Sequence, residues 1–539
     1  MKTTKFFLGA FAALLMGATM ASCSNDEPAA GGENNENSSV GDRYISVRIF
    51  NPSNTSRAAG EGFEEGVGNE NAISAENIRF YFFNANQQPF TLVASNVNGE
   101  LSNTNMVKPI SLTPNTQDGN EVTANGVLVL GKPTSPYLGV TPSYMICAAN
   151  LTESEFKELA NKTMRDAANI IRSKATGESL DWGTFVMTNS TYIKDGEKVI
   201  ATKIEDENLA ESAVAAQANP VNIYVERLAA KVRVTGLDVY QPQKAGDNPE
   251  KVKFNFSNAE GQVEETTLYV NLNGWQLKNR YTKAKLFKDI DADGDYFPNW
   301  NAPEYHRCYW AITPADESGL FNKTYDIYSS TQFTLGNYNT AKPTENIRYT
   351  YPNTAWASTP ESASDRTTNV TSVVVRGVVC TDADGNTPLD FVYWAGGYYK
   401  TAEFKKMVAN AYNIENTGAN KTADDITLVA DNANPNQWIA SVKLNETENY
   451  RFDRFNGISW WQNGLTSYNV NIKHATTADG TALYGVVRNH IYENIFTGVV
   501  GLGVPGNEPE NPKDETETYV AATVNVLNWK LVSNTIVLE

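Results

Sequence analysis

Short apolar runs, alternating or continuous and separated by turn residues, recur along most of this chain. Tyr44–Phe50 (YISVRIF) places Ile45, Val47 and Ile49 on one face and Ser46 and Arg48 on the other, the period of a half-buried strand. Asn77–Phe90 reads as a strand followed by a turn, and NGVLVLGKP, SYMICAANL, VNIYVERLAAKVRVTGLDVY and TSVVVRGVVC continue the series. Strands punctuated in this way predict a mainly β protein built from sandwiches. Two helical patterns interrupt them. Leu151–Lys174 opens on Thr152-Glu153-Ser154-Glu155, a capping box, and sets Phe156, Leu159, Thr163, Ala167, Ile170 and Ile171 on one face. Ala402–Tyr412 is a shorter helical stretch. A lone amphipathic helix after a sheet is expected to lie over one face or end of a sandwich.

The last segment, Tyr519–Glu539, carries an unusual pattern. Ala522, Val524 and Val526 alternate with Thr523 and Asn525; then Leu527, Trp529 and Leu531 take the opposite phase. A phase change predicts a bulge or two short strands in series. Ile536 and Leu538 bring apolar side chains nearly to the last residue, where chain ends are normally polar and frayed. The segment is patterned for burial. The acidic, proline-bearing linker Gly506–Thr518 is expected to hold it apart from the rest of the chain. Its 13 residues can span about 43–47 Å.

The first strand matches that design. Burying Ile45, Val47 and Ile49 is worth about 5–9 kcal/mol before hydrogen bonds are counted. Removing the strand from a sandwich leaves an apolar groove and two rows of unpaired backbone groups, which a donated strand can fill. Behind it, Asn51–Gly62 is rich in Pro, Ser, Asn and Gly and holds one arginine, Arg57, followed by Ala58. Such a tract is where nicking is easiest. Cleavage of the Arg57–Ala58 bond would release the strand; cleavage at the rival Arg43 would leave it in place. Arg48, Arg79 and Arg233 fall inside strand patterns and are expected to be shielded. The simplest alternative is that Arg57 is a solvated loop charge. If a second copy's tail replaced the released strand, the head-to-tail contact would not close and would build a filament.

Charge and address narrow the setting. The 539-residue chain has a formal net charge of −18 and a pI near 4.8. That argues against nucleic acid as a partner and against docking on anionic lipid by charge. Lys2 and Lys5 precede the apolar run Phe6–Met16, which is too short to span a bilayer, and Met20-Ala21-Ser22-Cys23 follows. Small residues before a cysteine resemble a bacterial lipobox, with Met20 in place of the usual leucine. Acyl chains of the palmitate kind on Cys23 would then be the sole membrane attachment. An ordinary signal peptide with an incidental cysteine is the alternative. Ser24–Gly41 has almost no apolar residues and reads as a disordered tether, and its Asp26 and Glu27 resemble surface-export signals of Bacteroidetes lipoproteins. Cys147, Cys308 and Cys380 each lie in apolar β-rich runs and read as buried free thiols.

Catalytic chemistry finds little support. With 3 histidines, His306, His474 and His490, there is no HExxH, nucleophile elbow, Walker loop or dinucleotide fingerprint. No cofactor is expected, and the chain reads as a non-enzyme. The 62 carboxylates carry no linear spacing that marks a glycosidase pair. Asp289, Asp291, Asp293 and Gly294 match the first half of a calcium loop, but Trp300 stands where the closing glutamate belongs, so an acidic hairpin turn is the better reading. Asp382–Asn386 is likewise a turn. Ser459–Gly464 (SWWQNG) could line a sugar platform or pack a core; core packing is the simpler reading. In VVRNHIY, Val486, Val487, Ile491 and Tyr492 are core residues. Arg488-Asn489 is placed to bond the backbone of a loop or neighbouring strand, and His490 reads as a satisfied histidine rather than a ligand.

Four stretches together resemble the fimbrillin family of Bacteroidetes, the subunits of type V pili. They are the ASC lipobox with its acidic tether, NTSRAAG around Arg57, IYVERLAAKV (Ile223–Val232), and SYNVNIKHATTADGTALYGVVRNHIYENIFTGVVGLG (Ser467–Gly503). Residues from about 240 to 460 match only in general β character. The resemblance implies two transthyretin-like β-sandwich domains with a few short helices, an excised first strand and a C-terminal donor strand. It implies a lipoprotein signal over 1–23 and a tether with the removed strand over 24–57. The two domains would cover 58–224 and 225–505, and the linker with the donor strand 506–539. Cys23 is then the lipidation site and Arg57–Ala58 the bond cut by an arginine-specific protease. Val524, Val526, Leu527, Trp529, Leu531, Ile536 and Leu538 are then donor residues. Because the chain carries both the cleavage site and the donor tail, a shaft subunit is the closest match. It would be exported as an outer-membrane lipoprotein, assembled into an extracellular fimbrium with other copies and with anchor and tip subunits, and serve adhesion. The alternative is a monomeric surface lipoprotein that binds glycans through exposed aromatics.

Overall fold

Alternation along the chain translates directly into sheet. The computed structural model describes residues 43–50, 72–95, 101–114, most of 122–290, 347–354, most of 370–506, and 520–525, 530–531 and 535–538, and it is mainly β. The first sheet contains Arg43–Phe50 (β1), Ile78–Phe83 (β2), Met106–Val107 (β3), Ser111–Pro114 (β4) and Val122–Leu130 (β5). It continues with Tyr144–Ala149 (β6), Met187–Asn189 (β7), Leu209–Ala210 (β8) and Val221–Arg227 (β9). Its order is β3-β2-β6-β7-β9-β1-β5-β4, with β8 also on β1 and Thr202–Lys203 on β6. The strand that opens the described chain is therefore interior to the sheet.

Both faces of this sheet are covered, and β2 shows how. Ile78, Phe80 and Phe82 join Ile45, Val47, Ile49, Leu128, Met145, Cys147 and Ile223 in one core. Tyr81 and Phe83 point the other way, against Phe156, Leu159, Met164 and Ala167. Those last four belong to helices, as the amphipathic pattern predicts, but to two rather than one. Glu153–Leu159 (α1) starts on the expected box: Glu155 N–H donates to Thr152 Oγ1 at 3.3 Å and Thr152 N–H donates to Glu155 Oε2 at 2.8 Å. Asn161 then adopts φ 59° and ends the helix. Asn161 N–H donates to Asn105 Oδ1 at 2.7 Å, and Asn105 N–H donates to Asn161 Oδ1 at 3.1 Å, so a reciprocal amide clamp holds the break. Thr163, expected on the apolar face, instead caps Met164–Ala168 (α2). Ile171 starts a strand paired with Lys283–Lys285.

The chain leaves the first sheet at Leu228–Ala229 and continues through Ala230–Thr235 (β10), Tyr269–Lys278 (β11), Ile347–Thr350 (β12) and Ser372–Cys380 (β13). Helix Thr401–Glu415 (α3), Leu465–Asn471 (β14) and His490–Val499 (β15) follow, and the tail supplies Val520–Asn525 (β16), Lys530–Leu531 (β17) and Thr535–Leu538 (β18). One sheet runs β12-β10-β15-β16-β18, with β17 also on β15; another is centred on β11-β13-β14. Val232, Val234, Trp275, Leu277, Val373, Val375, Phe496 and Val499 share the core between them. Helix α3 covers the predicted Ala402–Tyr412 with additional residues at both ends, and buries Phe404, Val408 and Tyr412 against Ile426 and Val442. The described residues all belong to one compact unit, Asp42–Glu539. No helix among them is long and apolar enough to cross a membrane.

Candidate functional site

The slot that holds β1 is built from the alternation of three strands. Ile45, Val47 and Ile49 have 0% exposure. Opposite them on antiparallel β5 stand Leu128, Gly126 and Ala124, in that order. On the other edge β8 sets Leu209 beside Ile45, and parallel β9 sets Val221 beside Val47 and Ile223 beside Ile49. Both backbone edges of β1 are paired, so its removal exposes two rows of donors and acceptors together with an apolar floor. Ser46 is also buried and donates its Oγ to the Gly126 carbonyl at 3.3 Å. Arg48 points outward between the exposed Asn125 and Asn222. Arg48 is thus shielded by strand pairing rather than by side-chain burial, whereas Arg79 is 1% exposed. Arg43 lies in β1 itself, opposite Leu130.

Gly126 is the tightest point of the slot. A Cβ there would lie 3.1 Å from Val47 Cγ2, 3.1 Å from Leu112 Cδ1 and 3.3 Å from the Ser111 carbonyl oxygen. Two apolar side chains close over bare backbone. The linear sequence does carry a signal for this, since glycine inside a strand run marks close approach.

At the other end of the chain, β16 is antiparallel to β15 from Glu493↔Asn525 to Val499↔Val520, with a register shift between Phe496 and Gly498. β18 turns back along β16, and Lys530–Leu531 runs parallel to His490–Ile491. The expectation that the linker holds the tail away is not met in the single chain: the open edge of β15 takes it up, because unpaired strand groups seek the nearest partner. β16 ends at Asn525, next to the change of phase. Val524, Leu531, Ile536 and Leu538 lie in these strands, whereas Cys23, Arg57, Ala58, Val526, Leu527 and Trp529 lie outside the described residues.

A buried polar junction connects β9, which flanks the slot, to β15, which carries the tail. Lys288 Nζ donates to Glu226 Oε2 at 2.6 Å, with side-chain exposures of 0% and 1%. Arg488 Nε lies 3.8 Å from Glu226 Oε1, and its Nη1 donates to the Leu286 carbonyl at 2.8 Å. Burial pulls the Arg488 guanidinium down to about 10, against the opposing pull of Glu226. Arg227 Nη1 donates to Asn489 Oδ1 at 3.0 Å, and Asn489 N–H donates to the Ala229 carbonyl at 2.7 Å. Asn489 adopts φ 59°, which turns the chain into β15. Val487 N–H donates to Tyr492 Oη at 2.7 Å, and His490 Nδ1 lies 2.6 Å from the Arg488 carbonyl oxygen. The expected roles of Arg488, Asn489 and His490 match this geometry. Glu226 and Lys288 had no linear signal, because residues 226, 288 and 488 meet only through the fold.

The remaining candidates that the structure describes are engaged in packing and pairing. Asp289 accepts from Lys198 and Lys285; burial alone would raise its carboxyl, yet the two ammonium groups bring it below its ordinary value. A carboxylate so engaged is poorly placed for calcium. Asp291 and Asp293 lie outside the described residues. Trp461 stacks on Phe391 with ring centres 4.8 Å apart, and Trp460 donates its Nε1–H to Asp390 at 2.7 Å, which favours core packing for SWWQNG. Cys147 and Cys380 are buried free thiols, as expected; Cys308 lies outside the described residues.

Comparison with known proteins places one segment directly. A family model described as "Major fimbrial subunit protein type IV, Fimbrillin, C-terminal" matches residues 459–535, which hold β14, β15 and β16, in agreement with the resemblance to Bacteroidetes fimbrillins. No curated protein matches the chain. Among solved structures, a fimbrilin from Porphyromonas gingivalis is 14% identical with a TM-score of 0.38, covering 91% of this chain and 98% of its own. The tip fimbrial protein of Porphyromonas gingivalis with C-terminal truncation is 9% identical with a TM-score of 0.30, covering 90% and 100%. A fimbrial assembly protein from Parabacteroides distasonis is 11% identical with a TM-score of 0.28, covering 76% and 99%.

Proposed function

We propose that this chain is the precursor of a fimbrial shaft subunit, which polymerises by exchanging its first strand for the tail of a second copy. One observation carries the reading. The inward side chains of β1 are fully buried and both its edges are paired, and the tract that holds Arg57 joins it to the rest of the chain. The fimbrillin match over 459–535 supports it from the other end of the chain.

In this reading the chain is exported with a lipid on Cys23 as its only membrane attachment. An arginine-specific protease cuts between Arg57 and Ala58. Before the cut, β1 is tethered, so its effective concentration at the slot far exceeds that of any free tail. After the cut it is a separate peptide that can diffuse away. The slot is then an apolar groove with two unpaired edges, and the tail over 506–539 of another copy fills it. Repetition gives an open head-to-tail polymer on the cell surface, with related anchor and tip subunits at its ends, suited to adhesion. Two sandwich domains fit the handover at Leu228–Ala229, one on each side of it.

The test is direct. Purified precursor treated with an arginine-specific protease is expected to release the segment up to Arg57 and to form ladders that resist SDS. A clean cut that leaves only monomers overturns the proposal.

A further inference from the structure

Resting on the exchange reading, we infer that the tail enters the slot in one register: Leu527, Trp529 and Leu531 take the places of Ile45, Val47 and Ile49, with Trp529 laid over Gly126. The slot requires three apolar side chains at alternate positions, facing Leu128, Gly126 and Ala124 in that order. Ile45-Ser46-Val47-Arg48-Ile49 meets this with a small polar residue second and a cation fourth. Leu527-Asn528-Trp529-Lys530-Leu531 repeats the same arrangement in the same chain direction. Asn528 would take the place of Ser46, whose hydroxyl donates to the Gly126 carbonyl, and a side-chain amide can supply that bond. Lys530 would take the exposed place of Arg48, between Asn125 and Asn222.

The other stretches of the tail fit less well. Ala522, Val524 and Val526 also alternate, but they offer less bulk to the same three positions. Ile536 and Leu538 supply two apolar residues in one phase, but the position ahead of them in that phase is Asn534, and the slot takes three.

Gly126 decides the middle position. An aromatic side chain placed across from a strand glycine covers the bare backbone that glycine leaves. In the precursor Val47 and Leu112 share that space, each 3.1 Å from where a Cβ would stand. Ala124, the next inward residue on β5, is also small, so the room for the tryptophan comes from the departure of Val47 and the absence of bulk on β5. An indole buries more apolar surface than the valine it replaces. In this register the donor would bring more apolar surface to the middle position than the leader does, which would give exchange a direction.

Paired cysteines test the register. Asn125 is opposite Arg48 on β5, so Asn125→Cys with Lys530→Cys puts two thiols at facing positions, within disulfide reach. After the arginine cut, this variant is expected to form a covalent ladder on non-reducing gels that collapses on reduction, whereas Asn125→Cys with Asn525→Cys does not. A ladder from the Asn525 variant instead overturns the register while leaving strand exchange standing. Loss of SDS-resistant polymer from the cut wild-type chain removes both. A second arm reads the glycine. The nearest atoms to a Cβ added by Gly126→Ala are the ends of two side chains and one carbonyl oxygen, none closer than 3.1 Å, so the precursor is expected to fold. Ladder formation should slow by roughly tenfold or more from overpacking, and Trp529→Leu in the same chain should restore it. Polymerisation of Gly126→Ala at the wild-type rate overturns the placement of Trp529.

Discussion

β1 and the tail are both strand segments with alternating apolar residues, each near one end of the chain, yet the fold holds them differently. β1 is paired with β5 on one edge and with β8 and β9 on the other, and its inward side chains lie in the core with Phe80, Phe82 and Cys147. The tail folds on itself as β16 and β18 and is laid against one edge of one sheet, along β15. Taking away β1 breaks two rows of pairing and opens a core. Taking away the tail breaks one row and leaves an ordinary strand edge. Under the proposed exchange, this asymmetry makes the leader the lock and the tail the part whose transfer costs least. Among the described residues no other strand of the sheet precedes β1, so a single cut behind it severs its covalent link to its neighbours.

The largest effect should come from charging the lock. Val47 has no exposed surface, so Val47→Asp places a carboxylate in an apolar core without a partner. The uncut precursor should lose its cooperative urea transition altogether. Truncation after Gly506 should leave that transition in place, shifted by no more than about 1–2 kcal/mol, the scale of an ordinary point change. If truncation unfolds the protein and Val47→Asp does not, the two ends have been assigned the wrong way round.

A smaller effect, felt at both ends, is expected at the junction. Glu226 lies on β9 beyond the stretch that flanks β1, and it meets Lys288 and Arg488, the latter just ahead of β15. Glu226→Gln leaves two buried cations without their anion, which should cost about 3–5 kcal/mol. Because the junction serves the slot and the tail strand alike, amide exchange should quicken in β1 and in β15 together. Faster exchange in β15 alone would mean that the two regions are held independently.

Much of this contrast was legible in the sequence, for physical reasons. Period-two alternation marked Ile45, Val47 and Ile49 as inward residues, and a buried strand admits no other phase. The capping box at Thr152 and Glu155 fixed where a helix starts, because that signal is local. The helix's end was not legible: Asn161 stops it through a clamp with Asn105, 56 residues away. Which strands flank β1 was equally hidden, since its parallel partner β9 lies far along the chain and pairing order leaves no local trace. The junction of Glu226, Lys288 and Arg488 required three distant segments to meet. Asp289 looked like part of a cation loop because spacing reveals carboxylates but not the lysines that fold against them.

The smallest expected effect leaves stability unchanged and reads the slot chemically. Cys147 shares the core of β1, whereas Cys380 is the buried last residue of β13. Burial pushes both thiols up, Cys380 to about 11, so little thiolate is present at mildly alkaline pH and both should resist alkylation in the uncut precursor. Release of β1 opens the floor next to Cys147 and leaves Cys380 covered. Peptide mass spectrometry after brief alkylation should then show the Cys147 peptide labelled roughly tenfold faster, following the thiolate and access it gains, with Cys380 unchanged. Refilling the slot with a peptide spanning Leu527–Leu531 should restore protection, whereas truncating the tail of the uncut chain should alter neither cysteine. If Cys147 stays shielded once the leader has left, the core has closed over the vacated strand position, and a slot that has healed in this way has no place for a donor.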